Sequence, residues 1–277
     1  MKKLLLVAFC MGALVMAEAQ QLRTPQPSTT QTVKQELGLG TVELSYSRPN
    51  MKGRKIFGDL VPFDKVWRTG ANNATTLTFT DEVIIGGTKV PAGKYGLLSI
   101  PSANEWTIII SKQTDVTSPA AYKQDMDVVR VKAKPMQLPW SFETFGISFE
   151  NIKDNGCELM MAWDKTLVSL PITTDVDGKV MKQIETIMKA DARPYFAAAS
   201  YYANNGKDLN QAIVWFDKAI EQNPKAFWVY YQKASALAKL GKKAEAIAVS
   251  NKSIELAKEA KNDDYVALNE KLQKDLK

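Results

Sequence analysis

The sequence predicts a two-part β-plus-α chain, an antiparallel β-sandwich or barrel followed by an α-helical repeat domain. Three observations carry this prediction. Short runs of period-two alternation fill the first part, as in TVELSYS, where Val42, Leu44 and Tyr46 alternate with Glu43, Ser45 and Ser47. Turn formers separate the runs with no helix-length segment between them, which favours antiparallel pairing over crossovers. Beyond residue 179 the apolar spacing changes to that of a helix, beginning with Val180, Ile184, Ile187 and Met188.

The elements follow in order. Residues 1–19 read as a signal peptide: Lys2 and Lys3 precede an apolar run from Leu4 to Met16, and Ala17 and Ala19 place cleavage between Ala19 and Gln20. The run is too short to span a bilayer, and no later segment is apolar enough to do so. The mature chain is expected to be exported, periplasmic or secreted. Residues 20–30, QQLRTPQPSTT, read as a flexible N-terminal segment. Residues 31–172 form the β-domain. A hairpin of TQTVKQEL and TVELSYS turns at GLG, and further strands are expected at TTLTFT, EVIIGG, KYGLLSI, WTIIIS, DVVRVKAK, SFETFGISFE, CELMMAWD and TLVSLPI. Residues 173–179 read as a linker, and 180–277 as the helical domain.

Within the helical domain the sequence aligns with itself at a shift of 34 residues, pairing Ala212 with Ala246, Phe216 with Ser250 and Ala219 with Ser253. Tyr195, Ala199 and Tyr202 fill a first helix, and Ala212, Phe216, Ala219 and Pro224 follow in and after a second. This arrangement resembles the tetratricopeptide repeat, and the resemblance implies paired helices that dock a protein or peptide partner. The second unit fits less well, with Ser250 and Ser253 where larger residues or alanine are usual. Asp208 is expected to cap the second helix, Asn223 the third with Pro224 in its first turn, and Asp263 the closing helix. Tyr195, Tyr202, Trp215 and Tyr230 are the candidate partner contacts; the competing reading makes them the packing between helices.

Composition narrows the chemistry. The chain has 36 Lys and Arg against 30 Asp and Glu, a formal charge of +6, but the excess is scattered and forms no stripe suited to nucleic acid. It contains no histidine. Ser-His-Asp and Cys-His arrangements and histidine metal sites are therefore unavailable. Once the leader is removed Cys157 is the single cysteine, so no internal disulfide is expected. No phosphate loop, nucleophile elbow or calcium loop is complete, and neither cofactor nor metal is expected.

The remaining signal is a polar knot at the centre of the β-domain. The blocks YSRPNMKGRKIFGDLVPFDKVWRTGANNATTLTF, KVPAGKYGLLSIPSANEWTIII and WDKTLVSLPI, in that order, resemble the domain-of-unknown-function 2911 family. The resemblance implies a β-rich domain, commonly behind a signal peptide, and no assigned activity. An acidic residue often follows GAN in that family; here the position is Asn73, so no carboxylate role carries over to it.

Arg48, Arg54 and Arg68, with the amides of Asn72 and Asn73, are the candidate ligand-binding residues, for a small anionic or sugar ligand. The guanidinium fork suits bidentate oxyanions. The alternative is that these side chains only pin turns through main-chain carbonyls. The overall expectation is a non-enzymatic scaffold. Its rival is a glycosidase-like hydrolase that uses two carboxylates and an arginine-rich substrate clamp.

Overall fold

The computed structural model describes residues 24–189 and 194–277; the expected signal peptide and the first residues of the lead-in lie outside them. The chain divides into two compact units between Asp175 and Val176.

The first unit holds ten strands. They are β1 (Thr29–Leu37), β2 (Gly40–Arg48), β3 (Thr76–Phe79), β4 (Val83–Ile85), β5 (Thr88–Val90), β6 (Gly93–Ile100), β7 (Trp106–Ser111), β8 (Asp127–Ala133), β9 (Met136–Lys153) and β10 (Gly156–Thr173). Six form one sheet in the order β1-β2-β3-β6-β7-β8, four a second in the order β5-β4-β10-β9, and the named strand pairs are antiparallel. The sheets are not closed into a barrel, so of the two architectures the sequence allowed, the sandwich is the one formed.

Alternation builds the core between them. Val42, Leu44 and Tyr46 of β2, Leu97 of β6 and Ile108 and Ile110 of β7 are buried in one cluster with Phe145, Ile147 and Phe149 of β9 and Leu159, Met161 and Trp163 of β10. Burying whole side chains of this kind stabilises by roughly 1.5–3 kcal/mol each. A smaller cluster of Leu98, Ile109 and Val116 covers the opposite face of β6 and β7, which is why both strands read as nearly continuous apolar runs.

Three details depart from the sequence-based expectation. β1 begins at Thr29, inside the expected lead-in, because Thr29 and Thr30 pair with Arg48 and Ser47. The segments CELMMAWD and TLVSLPI are one strand, β10. Asp164, the last residue of the first segment, adopts a left-handed φ of 50°, and the ladder is irregular there rather than turned. The helical unit begins at Val176, within the expected linker.

That unit contains α1 (Val176–Ile187), α2 (Tyr195–Asn204), α3 (Leu209–Gln222), α4 (Phe227–Lys239), α5 (Lys243–Glu259) and α6 (Asp263–Leu276). Ala199, Ala203, Ala212 and Ala219 bury around Phe216, the small-and-aromatic packing that lets paired helices approach closely. Asp208 caps α3 by accepting from the amides of Asn210 and Gln211. The other two caps fall elsewhere. Asn223 ends α3 and accepts from the amide of Lys225 while Ala226 precedes α4, and Asn262 rather than Asp263 caps α6 by accepting from Tyr265.

Ser250 and Ser253 do not leave the second repeat loose. Asn269 of α6 is fully buried and bonds to both, accepting from Ser250 Oγ at 2.9 Å and donating to Ser253 Oγ at 2.9 Å. Polar groups this deep are tolerated because each finds a partner.

Candidate functional site

The knot at residues 66–76 is built by hydrogen bonds that hold a strained backbone. Trp67 exchanges main-chain bonds with Ser99, at 2.7 Å and 2.9 Å. Its indole Nε1 donates to the carbonyl of Gly70 at 3.0 Å. Thr69 is wholly buried with φ at 52°, a conformation costly for a β-branched residue. Its hydroxyl lies 2.9 Å from that of Ser99, and its carbonyl accepts from Thr75 Oγ1 at 2.7 Å. Gly70 is required by close approach: a Cβ there would meet Thr75 Oγ1 at 2.9 Å and the carbonyl oxygen of Ser47 at 3.0 Å. Beneath the knot Trp67 stacks on Trp163 at 6.0 Å.

The frame presents Arg68 between two cavities. One, of about 360 Å³, is walled by Trp67 and Trp163, and its charged lining is Lys52, Arg54 and Arg68, with no carboxylate. The other, of about 250 Å³, lies toward Val116 and Thr117. Arg68 Nη1 donates to the carbonyl of Thr117 at 2.7 Å. Its Nε is buried and has no hydrogen-bond partner among the described residues. A buried, unpaired guanidinium nitrogen is costly unless something else satisfies it.

The other expected ligand-binding residues are dispersed. Arg54 joins Arg68 in the first cavity, where Nε donates to Met51 O at 2.8 Å and Nη2 to Asn50 O at 2.6 Å. Arg48 does not line that cavity. Its Nε donates to the carbonyl of Phe145 at 3.1 Å, and it borders a separate groove on β9 and β10. Asn72 turns the chain at a φ of 55° and donates to the carbonyl of Ser28 at 2.8 Å. Asn73 is exposed, and neither asparagine lines the first cavity. Lys52 belongs to the basic residues of this block but was not among the candidate ligand-binding residues. The signal was present in its spacing, two residues before Arg54 and next to Gly53.

Carboxylate-pair chemistry finds no pair here. The cavities lined by Arg48, Arg54 or Arg68 contain, among the described residues, Glu150 and no second acid. No cluster of three or more candidate metal ligands occurs among the described residues either. Cys157 is buried and free, with its thiol pushed up to about 11 by burial and then by the charge of Glu158, which disfavours the thiolate at neutral pH.

In the helical unit, Tyr202 of α2 and Trp215 of α3 meet edge to face at 4.7 Å. They form one wall of a groove of about 590 Å³ whose other wall is the apolar side of α1, with Met181, Ile184 and Met188. No residue of α1 is buried. The helix is tied down at its start, where Asp177 accepts from Lys207 Nζ at 2.7 Å and from Tyr201 Oη at 2.9 Å. Tyr195 packs against the alanine-rich cluster. Tyr230 donates to the carbonyl of Pro224 at 3.3 Å, and neither lines the groove. No helix among the described residues is long and apolar enough to cross a membrane.

A family model described as a protein of unknown function (DUF2911) matches residues 28–172. Tetratricopeptide repeat models match residues 192–225 and 215–248. No curated protein and no solved structure matches the chain.

Proposed function

The chain belongs to the DUF2911 family, whose function is unknown, and on that premise we propose that it is an exported, non-enzymatic scaffold that docks a protein partner through its tetratricopeptide repeats. The observation that carries the reading is the groove between α1 and the Tyr202–Trp215 pair. An amphipathic helix with no buried residue is a partner surface in waiting, because its apolar side gains most by being covered. A helical or extended peptide with apolar anchors fits such a groove. Tyr202 and Trp215 carry the contact; Tyr195 and Tyr230 support the helices that present it.

The test is capture of partners by the whole chain from envelope extract, repeated with Tyr202→Ala and Trp215→Ala. A partner retained by the parent chain and lost from both variants supports docking. Identical capture by all three removes it. Export is tested separately, by fractionation and by N-terminal sequencing of the accumulated protein, which is expected to begin at Gln20.

A second component of the reading is a small-anion site in the β-domain, favoured by the unpaired Arg68 Nε beside Lys52 and Arg54. Three cations around one cavity without a carboxylate favour a phosphate, sulfate or carboxylate group. Calorimetric titration with inorganic phosphate, sulfate and citrate tests it. Arg68→Ala is expected to abolish any saturable binding, and the absence of binding by all three anions at low salt refutes the site.

A further inference from the structure

β9 and β10 do not run in step. Phe142 faces Asp164 and Gln137 faces Thr166, so Leu138, Pro139, Trp140 and Ser141 are all set against Lys165. Proline is tolerated in such a bulge because no ladder bond needs its missing N–H. The bulge is pinned from both strands: Ser141 Oγ donates to Asp164 Oδ1 at 2.8 Å, and Asp164 holds its left-handed conformation opposite. Its effect is to turn Trp140 outward. Trp140 is 59% exposed, and Phe142, two residues on, 40%. Bulges recur at sheet edges and next to active sites, where they re-aim a side chain, and neighbouring exposed aromatics that form a patch are more informative than a single exposed side chain.

Trp140 and Phe142 wall a groove of about 590 Å³. It runs along β9 and β10 where Gln31, Tyr46 and Arg48 of β1 and β2 border it, and its β9 residues Thr144, Gly146 and Ser148 alternate with the buried Phe145 and Phe149, with Ile147 reaching its edge. Gly146 and Ala162 keep it open, while Arg48 and Glu150 border it with opposite charges.

Three features select the occupant. First, the stretch of β9 from Phe145 to Ile147, beside the groove, is closed to an added strand. The hydroxyl of Tyr46 accepts from the amide of Ile147 at 2.8 Å, and its single proton is within reach of Gln31 Oε1 at 2.9 Å and of the carbonyl of Ile147 at 3.1 Å. The amide of Phe145 donates to Pro49 O at 2.9 Å, and its carbonyl accepts from Arg48. Strand addition would need those same groups. Second, the groove is local, whereas a stable protein partner covers roughly 800 Å² on each side. Third, the charges of Arg48 and Glu150 offset one another, which disfavours an anion or a cation. What remains is a neutral molecule with apolar C–H faces for the aromatic rings and paired hydroxyls for the planar guanidinium and carboxylate.

We propose that this groove binds a short neutral oligosaccharide, with one sugar ring seated on Trp140. The site is separate from the Arg68 cavity and from the helical groove, and does not depend on either.

Calorimetric titration of the purified chain with maltotriose, cellotriose and chitotriose tests the proposal, with laurate as the acyl-chain competitor. At least one of the three sugars is expected to bind saturably. Trp140→Ala is expected to weaken it by about tenfold or more, and Trp140→Phe by much less. The melting temperature should stay unchanged in both variants, because Trp140 is mostly exposed. Failure of all three sugars to bind at about 10 mM, sugar binding that survives Trp140→Ala, or binding of laurate alone overturns the proposal.

Discussion

The hydroxyls of Thr69 and Ser99 lie 2.9 Å apart in full burial, joining the segment that carries Arg68 to the middle of the six-stranded sheet. Thr69 holds an unfavourable backbone conformation, and the bond to β6 is part of what keeps it there. Ser99→Ala is expected to destabilise the chain by about 1–3 kcal/mol, the range for orphaning a buried hydroxyl. Denaturant unfolding measures it, and a change within error would mean that Thr69 is held by its other contacts alone.

Asn269 supports two buried serines at once, and Gln273 Nε2 reaches Ser250 Oγ as well, at 3.0 Å. Asn269→Leu is expected to cost about 1–3 kcal/mol, because Ser250 loses the acceptor of its proton and Ser253 a donor, while Gln273 still donates to Ser250 and Ser253 still donates to the carbonyl of Phe227. Adding Ser250→Ala and Ser253→Ala to that variant should recover part of the loss. Helical ellipticity followed through thermal unfolding reads both effects.

Cys157 links stability to alkaline pH. Its folded thiol titrates at about 11 against an ordinary 9.0, so folding favours the neutral form. Its contribution is complete below pH 9.0 and is lost as pH rises through about 11. Ellman's reagent at pH 8 is expected to label the native chain far more slowly than the unfolded chain. Cys157→Ser should flatten the stability profile across that alkaline window.

Asp177 works in the opposite direction. Its carboxyl is held below the ordinary 3.8, first by the hydrogen bond from Lys207 and then by that from Tyr201. The attachment of α1 is therefore fully present above pH 3.8 and is lost as pH falls through the lowered value. Asp177→Asn at neutral pH should reproduce the acid effect. Amide hydrogen exchange in Val176–Ile187 is expected to accelerate while α3 remains protected.

The sandwich and the helical repeats were legible because both rest on periodicity. Val42, Leu44 and Tyr46 reveal a buried face, and the shift that superposes Ala212 on Ala246 reveals a repeated helix pair. The site was legible only in part. Arg48, Arg54 and Arg68 are near neighbours in sequence, but Arg48 ends β2 and turns toward β9, while Arg68 follows a long loop and turns toward Thr117. Which way each side chain turns depends on segments that follow much later, β9 for Arg48 and the stretch between β7 and β8 for Arg68. Trp140 was missed for a related reason: its bulge exists only in the pairing of β9 with β10. Pro139, placed inside an apolar run, was the available sign. Ser250 and Ser253 looked like weak repeat positions because Asn269, their partner, belongs to a helix outside the repeat.

The long β9–β10 hairpin also bears on how the chain reaches its native state. Its two arms are joined by a tight turn at Asp154 and Asn155 and pair along most of their length, so ordering them requires little loop closure. β4 meets β10 only at Ile85–Ile172 and Ile84–Thr173, across a much longer stretch of polypeptide. Since closing long loops slows folding, the hairpin is expected to supply an early nucleus and the β4 seam to close late. Substitutions at Leu159 or Phe149 should therefore slow refolding, whereas changes at Ile85 should chiefly hasten unfolding.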